Sequence, residues 1–276
     1  MKKKKKAIYF EEGENFNIPN NSEVTVVKFG NKKMLIKHTS KKQNNLKRYK
    51  RVDRKTYIDT YTGELLEYEQ KETYKVEKEI NKSMKELKET IKTNFTGADN
   101  ELFITLTQAD ENNMELRDIK KYTSYFLRRL KDKFPDSQFE YIYKYERQEN
   151  GKWHLHILLK DVNNKTLFID NEIISKLWRE GFTNTQKIQN DEDSISRLIS
   201  YMIKKTQLQN FPRGERIYNT SRGIIRPVKI KTNKATAIAI VELEGLTLTN
   251  EKTILIKSTK TGAIINKHKT EEYEKK

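Results

Sequence analysis

The chain has 276 residues, in which 56 Lys and Arg outnumber 39 Asp and Glu and give a formal net charge of +17. This excess predicts a polyanionic partner, because basic side chains gain affinity for a phosphate backbone by releasing its counterions. The sequence has no cysteine, which excludes disulfides and thiolate metal sites, and no apolar run approaches the roughly 20 residues of a transmembrane helix.

The first 75 residues are typical of a basic segment with β-hairpins. Strands are predicted at 23–29 and 34–37, and a Thr-Gly pair at 62–63 suggests a second hairpin. Residues 31–55 hold eleven Lys and Arg and a single Asp. Two interpretations stay open for this stretch. It is either a solvated basic loop or a surface that contacts a DNA backbone through Lys47, Arg48, Lys50 and Arg51.

Residues 76–208 alternate between helical and strand patterns. Apolar residues at helical spacing predict helices over 76–96, 113–134 and 171–180, and a last one that begins at Asp191 or Asp193. Other runs predict strands over 102–107 and 182–188 and a hairpin over 139–160. The order strand, helix, hairpin, helix, strand, helix predicts an α+β fold, with a central antiparallel sheet and helices on one side.

Two histidines stand two positions apart in the second strand of the predicted hairpin. Because strand side chains alternate between faces, His154 and His156 point the same way, where two imidazoles can chelate one divalent ion. Folding the hairpin brings Glu146 across from His154, and one carboxylate with two imidazoles suits Mn²⁺ or Mg²⁺. Glu149, in the turn, is a rival carboxylate. The alternative is a histidine pair that only packs or hydrogen-bonds.

Tyr201, Lys204 and Lys205 occupy positions i, i+3 and i+4 of the last predicted helix, so they can share one helical face. Tyrosine on a helix usually packs, but beside a metal site Tyr201 becomes a candidate nucleophile. A phenol with a pKa near 10 needs assistance at neutral pH, and a divalent cation would polarise a phosphate and neutralise developing charge. Lys204 is the first candidate to stabilise the phenolate or the phosphate, and Lys205 is the second.

Residues 209–276 combine a basic loop with a β-rich pattern. Arg222 and Arg226 either grip DNA or belong to a plain basic loop. Strands are predicted over 235–248 and 252–256, and the Lys/Glu-rich tail from Lys267 is expected to fray. No G-x-x-x-x-G-K-[ST] sequence occurs, so we expect no nucleotide cofactor.

Three motifs, taken in order, resemble those of the HUH endonucleases, and within them those of the rolling-circle replication initiators of plasmids, phages and related mobile elements. Phe103-Ile104-Thr105-Leu106-Thr107 is similar to the first motif, His154-Leu155-His156 to the second and Tyr201-x-x-Lys204 to the third. The histidines precede the tyrosine, as in replication initiators, whereas conjugative relaxases have the reverse order. Residues 94–97 and 221–227 also resemble flanking parts of these proteins. The resemblance covers roughly residues 75 to 226.

This resemblance implies a ferredoxin-like HUH core, in which Glu146, His154 and His156 bind the metal and Thr105 and Thr107 support it. It implies that Tyr201 attacks single-stranded DNA at an origin, stays linked to the 5′ phosphate and frees a 3′-OH that primes synthesis, before a rejoining step. Some phage initiators have a second tyrosine at the place of Lys205, so a single-tyrosine cycle is predicted here.

The expected partners are single-stranded or hairpin origin DNA, together with a helicase and a polymerase of the host or of the element. No membrane partner is expected, and the expected location is the cytoplasm of a bacterial host. Two alternatives stay open: a transposase or relaxase with the same chemistry, and a non-catalytic nucleic-acid-binding module. The predicted division is a basic N-terminal region (1–75), the endonuclease core with its leading helix (76–208) and a β-rich C-terminal segment (209–276).

Overall fold

A computed structural model describes residues 8–30, 33–40, 49–52, 56–59, 64–67, 77–109, 114–148, 150–204, 211–259 and 261–275. Its strands are β1 (Ile8–Gly13), β2 (Glu23–Phe29), β3 (Lys33–Thr39), β4 (Tyr49–Arg51), β5 (Thr56–Asp59), β6 (Leu65–Glu67), β7 (Glu101–Thr107), β8 (Phe139–Arg147), β9 (Trp153–Asp161), β10 (Thr183–Lys187), β11 (Tyr218–Thr220), β12 (Val228–Asn233), β13 (Thr247–Ser258) and β14 (Ile264–Glu274). Its helices are α1 (Glu77–Asn94), α2 (Leu116–Lys133), α3 (Asn171–Trp178), α4 (Glu192–Met202) and α5 (Lys234–Leu243). The predicted α+β class is confirmed. None of the described helices is long and apolar enough to cross a membrane.

The chain divides into two units, one made of residues 1–71 with 227–276 and the other of residues 72–226. The second unit is built on a five-stranded antiparallel sheet in the order β10-β7-β9-β8-β11. Strands β8 and β9 form the predicted hairpin, in which Glu146 lies opposite His154 and Lys144 lies opposite His156. On the other side of β9, Thr105 of β7 lies opposite His156. The sheet therefore brings the first two sequence motifs together.

One face of this sheet is covered by α2 and α3. Tyr145 of β8 is buried on this face, where its hydroxyl hydrogen-bonds to the Thr123 side chain of α2. The fully buried Trp178 of α3 packs edge-on against Phe126 of α2, and its indole N–H donates to the Thr107 carbonyl oxygen at 3.0 Å. The apolar alternate residues of the strands thus bury their side chains against two helices.

The opposite face of the sheet carries the histidines and meets α4. Helix α4 begins after Asp191, whose side chain accepts a hydrogen bond from the Ser194 backbone N–H at 2.7 Å, so Asp191 and not Asp193 is the N-cap. Ile199 and Met202 of α4 are buried, and the Tyr201 ring contacts the His156 ring. Helices therefore contact both faces of the sheet.

The first unit is built on a six-stranded antiparallel sheet in the order β1-β13-β14-β3-β2-β12, and a small sheet has the order β4-β5-β6. The sequence analysis treats the two ends of the chain as separate segments, whereas here strands from both ends pair in one sheet. Apolar residues of β2 and β3 form the core with Ala237 and Val241 of α5.

Two predictions for the C-terminal segment are wrong. Residues 234–243, which fall largely within a predicted strand, form α5, because the Asn233 side chain caps the helix by accepting from the Thr236 N–H and because Ala237 and Val241 fall one turn apart on its buried side. The tail from Lys267 does not fray but lies in β14, between β13 and β3. Its charged side chains are accommodated in the fold, since buried Glu271 pairs with Lys234 and accepts from the Tyr273 hydroxyl at 3.1 Å.

Candidate active site

The centre of the site is a buried contact between a carboxylate and an imidazole. Glu146 is 4% exposed and His156 is 0% exposed, and Glu146 Oε2 lies 3.6 Å from His156 Nε2. The hairpin register produces this contact, because Glu146 is directly opposite His154 and diagonal to His156. The sequence predicted that these two side chains meet.

The two ring nitrogens of His156 have different surroundings. Nδ1 lies at hydrogen-bond distance, 3.2 Å, from the Thr105 hydroxyl, while Nε2 is buried and has no hydrogen-bond partner among the described residues. Burial, with a smaller effect from the Lys144 charge, lowers the pKa of His156 to about 3. A neutral imidazole whose outer nitrogen is held by a hydroxyl is the form in which histidine ligates metals.

His154 is half-buried on the same face, with its ring centroid 6.1 Å from that of His156. Its Nδ1 lies 3.3 Å from Gln148 Nε2, and burial lowers its pKa. Within the described ranges, no group of three or more His, Asp or Glu side chains is arranged to hold a metal ion. The structure thus brings Glu146 and His156 together and leaves His154 beside them, engaged with Gln148. The rival carboxylate, Glu149, lies outside the described residues.

A buried lysine, which the sequence analysis gave no role, stands at the same place. Lys144 is 0% exposed, and its ammonium donates to Glu146 Oε2 at 3.1 Å and to the Lys204 carbonyl oxygen at 2.9 Å. Burial lowers the pKa of Lys144, an effect that the negative charge of Glu146 opposes. The signal in the sequence was the alternation of β8, which places Lys144 on the same face as Glu146.

Tyr201 is next to this buried cluster and remains accessible. Its side chain is 45% exposed, and its ring centroid lies 5.0 Å from that of His156 and 6.0 Å from that of Phe103. Phe103 in turn stacks on His156, with centroids 5.8 Å apart. Partial burial raises the pKa of Tyr201, and the charge of Glu146 raises it further. The described protein groups therefore hold this phenol in its neutral form.

The helical relationship predicted between Tyr201 and Lys204 is wrong, because α4 ends at Met202. Ile203 is the C-cap, and the Lys204 N–H donates to the Tyr201 carbonyl oxygen at 3.2 Å in a tight turn. The Lys204 carbonyl oxygen is bound by Lys144 instead of continuing the helix. The Lys204 side chain is exposed, and Lys205 lies outside the described residues.

The two predicted supporting threonines differ in their contacts. The Thr105 hydroxyl touches His156, as described above, whereas the Thr107 side chain makes no hydrogen bond to another described residue. Thr107 contributes its backbone, with its carbonyl oxygen bound by Trp178 and its N–H donated to the Phe182 carbonyl oxygen at 2.8 Å.

A cavity of about 750 Å³ opens beside Tyr201. Its lining combines Phe103, Thr105 and His154 from the sheet with Arg197, Leu198 and Tyr201 from α4, and β10 with the segment after it closes a further side. The cavity lies on the face of the sheet that carries the histidines. A flexible ligand that enters it would come within reach of the tyrosine.

The predicted DNA-contacting residues lie away from this cavity or outside the described chain. Lys47 and Arg48 are not described, and of Lys50 and Arg51 only the backbone in β4 is. Arg222 is exposed in the loop after β11. Arg226 is exposed too, and its guanidinium donates to the Tyr218 hydroxyl and the Thr220 hydroxyl, each at 3.4 Å. Neither Arg222 nor Arg226 lines the cavity.

The two flanking segments that resembled replication initiators contact each other. The Asn94 side chain donates to the Ile225 carbonyl oxygen at 2.8 Å and accepts from the Ile225 N–H at 2.9 Å. A side-chain amide that pairs with both backbone groups of one residue fixes the local conformation. These segments, which are distant in the sequence, therefore form one structural feature at the end of α1.

A comparison with protein families matches residues 101–206 to a family described as replication-associated protein ORF2. No curated protein sequence matches the chain. The matched residues run from the start of β7 past Tyr201 and include all three motifs and the buried cluster. The family supports a role in initiating replication, and the predicted resemblance to Rep-type initiators is confirmed. Over residues 101–206, the chain belongs to this family of replication-associated proteins.

Proposed function

We propose that this replication initiator nicks single-stranded DNA at an origin through Tyr201 and later rejoins it. The observation that carries the proposal is the position of Tyr201, an accessible phenol whose ring lies 5.0 Å from buried His156, which in turn lies 3.6 Å from Glu146. A tyrosine that served only to pack would not need a buried acidic and imidazole cluster beneath it.

We propose that the chain uses Mn²⁺ or Mg²⁺, held by Glu146, His156 and His154. The donor set suits such ions, and the buried Nε2 of His156, without a partner among the described residues, is a nitrogen that a ligand would satisfy. His154 would complete the set by leaving its contact with Gln148. When bound, a divalent cation polarises the scissile phosphate and neutralises charge that develops during displacement.

The protein groups account for the remaining chemistry. The Tyr201 oxygen attacks the scissile phosphorus, the bond from phosphorus to the 3′ oxygen breaks, and the phenolic proton leaves to solvent as the freed 3′ oxygen takes up a proton. The product is a 5′ phosphotyrosine with a free 3′-OH that primes synthesis. Attack by a 3′-OH on the same phosphorus reverses these steps and rejoins the strand. In this proposal the exposed Lys204 ammonium assists by pairing with the phosphate, and Lys144 keeps Glu146 in place.

The proposed partners are single-stranded or hairpin origin DNA and, for unwinding and synthesis, a separate helicase and polymerase. The net charge of +17 supports a polyanionic partner. The exposed Arg222 and Lys204 are proposed contacts to the DNA backbone, and Lys205, Lys47 and Arg48 remain predictions.

The test is a nicking assay on labelled single-stranded oligonucleotides that tile the neighbourhood of the gene, with Mn²⁺. We expect one cleavage position in the unaltered chain, no cleavage with Tyr201→Phe, and unchanged cleavage with Tyr9→Phe, a matched change at another exposed tyrosine, 40% exposed. Cleavage by Tyr201→Phe at the original rate would contradict the nucleophile assignment. DNA binding without cleavage, over a pool that covers the whole neighbourhood, would favour the non-catalytic alternative.

A further inference from the structure

The cavity beside Tyr201 has a wall of side-chain carboxamides. Gln148, Asn184, Gln186 and Gln189 all line it. A carboxamide presents an N–H donor and a C=O acceptor in one plane, which is the combination that reads the hydrogen-bonding edges of nucleobases. Among the described residues, no Asp or Glu side chain lines the cavity. The wall therefore offers base-reading groups without repelling a phosphate strand.

Two of these carboxamides project from β10, the edge strand next to β7. Asn184 lies opposite Thr105 and Gln186 lies opposite Phe103, so both stand on the face of the sheet that carries His156. Both side chains are exposed, and neither hydrogen-bonds to another described residue. Their donors and acceptors are thus available to a ligand that enters the cavity.

The rest of the cavity suits a nucleotide. The half-buried Phe103 and Leu198 give apolar surface against which a base can stack. Lys187 and Arg197 line the same cavity and are exposed, so they can face a phosphate, although Lys187 also pairs with Asp99 at 2.5 Å. The volume of about 750 Å³ falls within the range of roughly 300–1,000 Å³ typical of ligand sites.

We propose that this cavity is a nucleobase-binding subsite, in which Asn184 and Gln186 hydrogen-bond to the edge of an unpaired base close to the scissile phosphate. These two residues then set the base preference at that position of the origin. The inference rests on the proposed function for the identity of the ligand, single-stranded DNA. It adds to that function the residues that determine its sequence specificity.

The test is a binding selection that does not depend on cleavage. The full chain is incubated, with a chelator present, with single-stranded DNA randomised over several positions, and bound molecules are sequenced. We expect enrichment of one base at one or two positions by about 10-fold or more, the discrimination that a good amide–base pair provides. The Asn184→Ala/Gln186→Ala double variant should lose this enrichment. Asn219→Ala, which removes a carboxamide from β11 at the other edge of the same sheet, should retain it.

A second pair of variants separates base reading from a structural role. Asn184→Asp and Gln186→Glu keep the shape of each side chain but leave only acceptors, so at least one should change which base is enriched, towards bases with an exocyclic amino group. No base enrichment by the unaltered chain, or the same enrichment in the alanine and acidic variants, would overturn the proposal. A chain that fails to nick DNA yet shows carboxamide-dependent base enrichment would contradict the proposed nicking and leave the subsite standing.

Discussion

The ammonium of Lys144 donates a hydrogen bond of 2.9 Å to the carbonyl oxygen of Lys204, three residues after Tyr201. The same ammonium binds Glu146 at 3.1 Å, so one buried side chain connects the central hairpin to the segment that follows the tyrosine helix. Tyr201 lies in the last turn of α4, and its position relative to the sheet therefore depends on how this helix end is held. Lys144 is a positioning residue for the proposed nucleophile.

Replacing Lys144 should destabilise the fold strongly. In Lys144→Met the Glu146 carboxylate loses its cationic partner while it stays buried, and breaking a buried pair in this way costs about 3–5 kcal/mol of unfolding free energy. Urea denaturation measures the change. Lys176→Met breaks an ion pair with Glu172 that lies on the surface, so it should have little effect. Equal losses in the two variants would contradict the role assigned to Lys144.

Thr105 and Thr107 should differ in their effect on metal affinity. The Thr105 hydroxyl touches His156 Nδ1, and loss of such an outer contact typically weakens metal binding by about 10–100-fold. We therefore expect Thr105→Val to bind Mn²⁺ more weakly by calorimetric titration. Thr107→Val should bind it as the unaltered chain does. Equal affinities for all three proteins would contradict the contribution of Thr105.

Gly97 should not tolerate a side chain. Its φ of 81° lies in the left-handed region, and an added Cβ would come 2.4 Å from the Gln189 carbonyl oxygen. Gly214 has a similar φ of 86°, but a Cβ there would meet nothing within 4 Å. We expect Gly214→Ala to cost about 1–2 kcal/mol from the backbone conformation alone. Gly97→Ala should cost about 3 kcal/mol or more in the same denaturation experiment, because crowding is added.

The Glu101 carboxyl should make stability fall as the pH rises. Burial raises the pKa of Glu101, although the N–H groups of Gly97 and Thr96 donate to its carboxylate at 2.7 and 3.0 Å. The folded chain therefore holds this proton to a higher pH than the unfolded chain does. Between the two pKa values the folded state binds more protons, so its free energy of unfolding decreases with pH.

Glu101→Gln removes this titration. Denaturation at a series of pH values should show that the stability of the unaltered chain, relative to the variant, declines as the pH rises through the raised pKa. Parallel stability curves for the two proteins would show that the pKa of Glu101 is not raised by folding.

The sequence predicts the central hairpin well because the information is local. Alternation along β8 and β9, with an Asn-Gly turn between them, sets the register that brings Glu146 to the histidines. The end of α4 was not predictable in the same way. The helical pattern continues past Met202, but Lys144, which is far away in the sequence, binds the Lys204 carbonyl oxygen.

The C-terminal errors have a similar origin. The alternating small and β-branched residues of 235–241 fit a strand as well as a helix, and the cap at Asn233 and the burial of Val241 decide the outcome. The charged residues from 267 onward look solvated, yet Lys234 provides the partner that lets Glu271 be buried in β14. In both cases the deciding contact joins residues that a local pattern does not connect.

The most direct test of the central claim is to locate the covalent link between protein and DNA. The full chain is incubated with Mn²⁺ and the oligonucleotide that it cleaves, the DNA is trimmed with nuclease, and the peptides are analysed by mass spectrometry. We predict that the peptide containing Tyr201 carries a nucleotide through a 5′ phosphate. Cleaved DNA with no adduct, or with the adduct on another residue, would contradict the assignment of Tyr201 as the nucleophile.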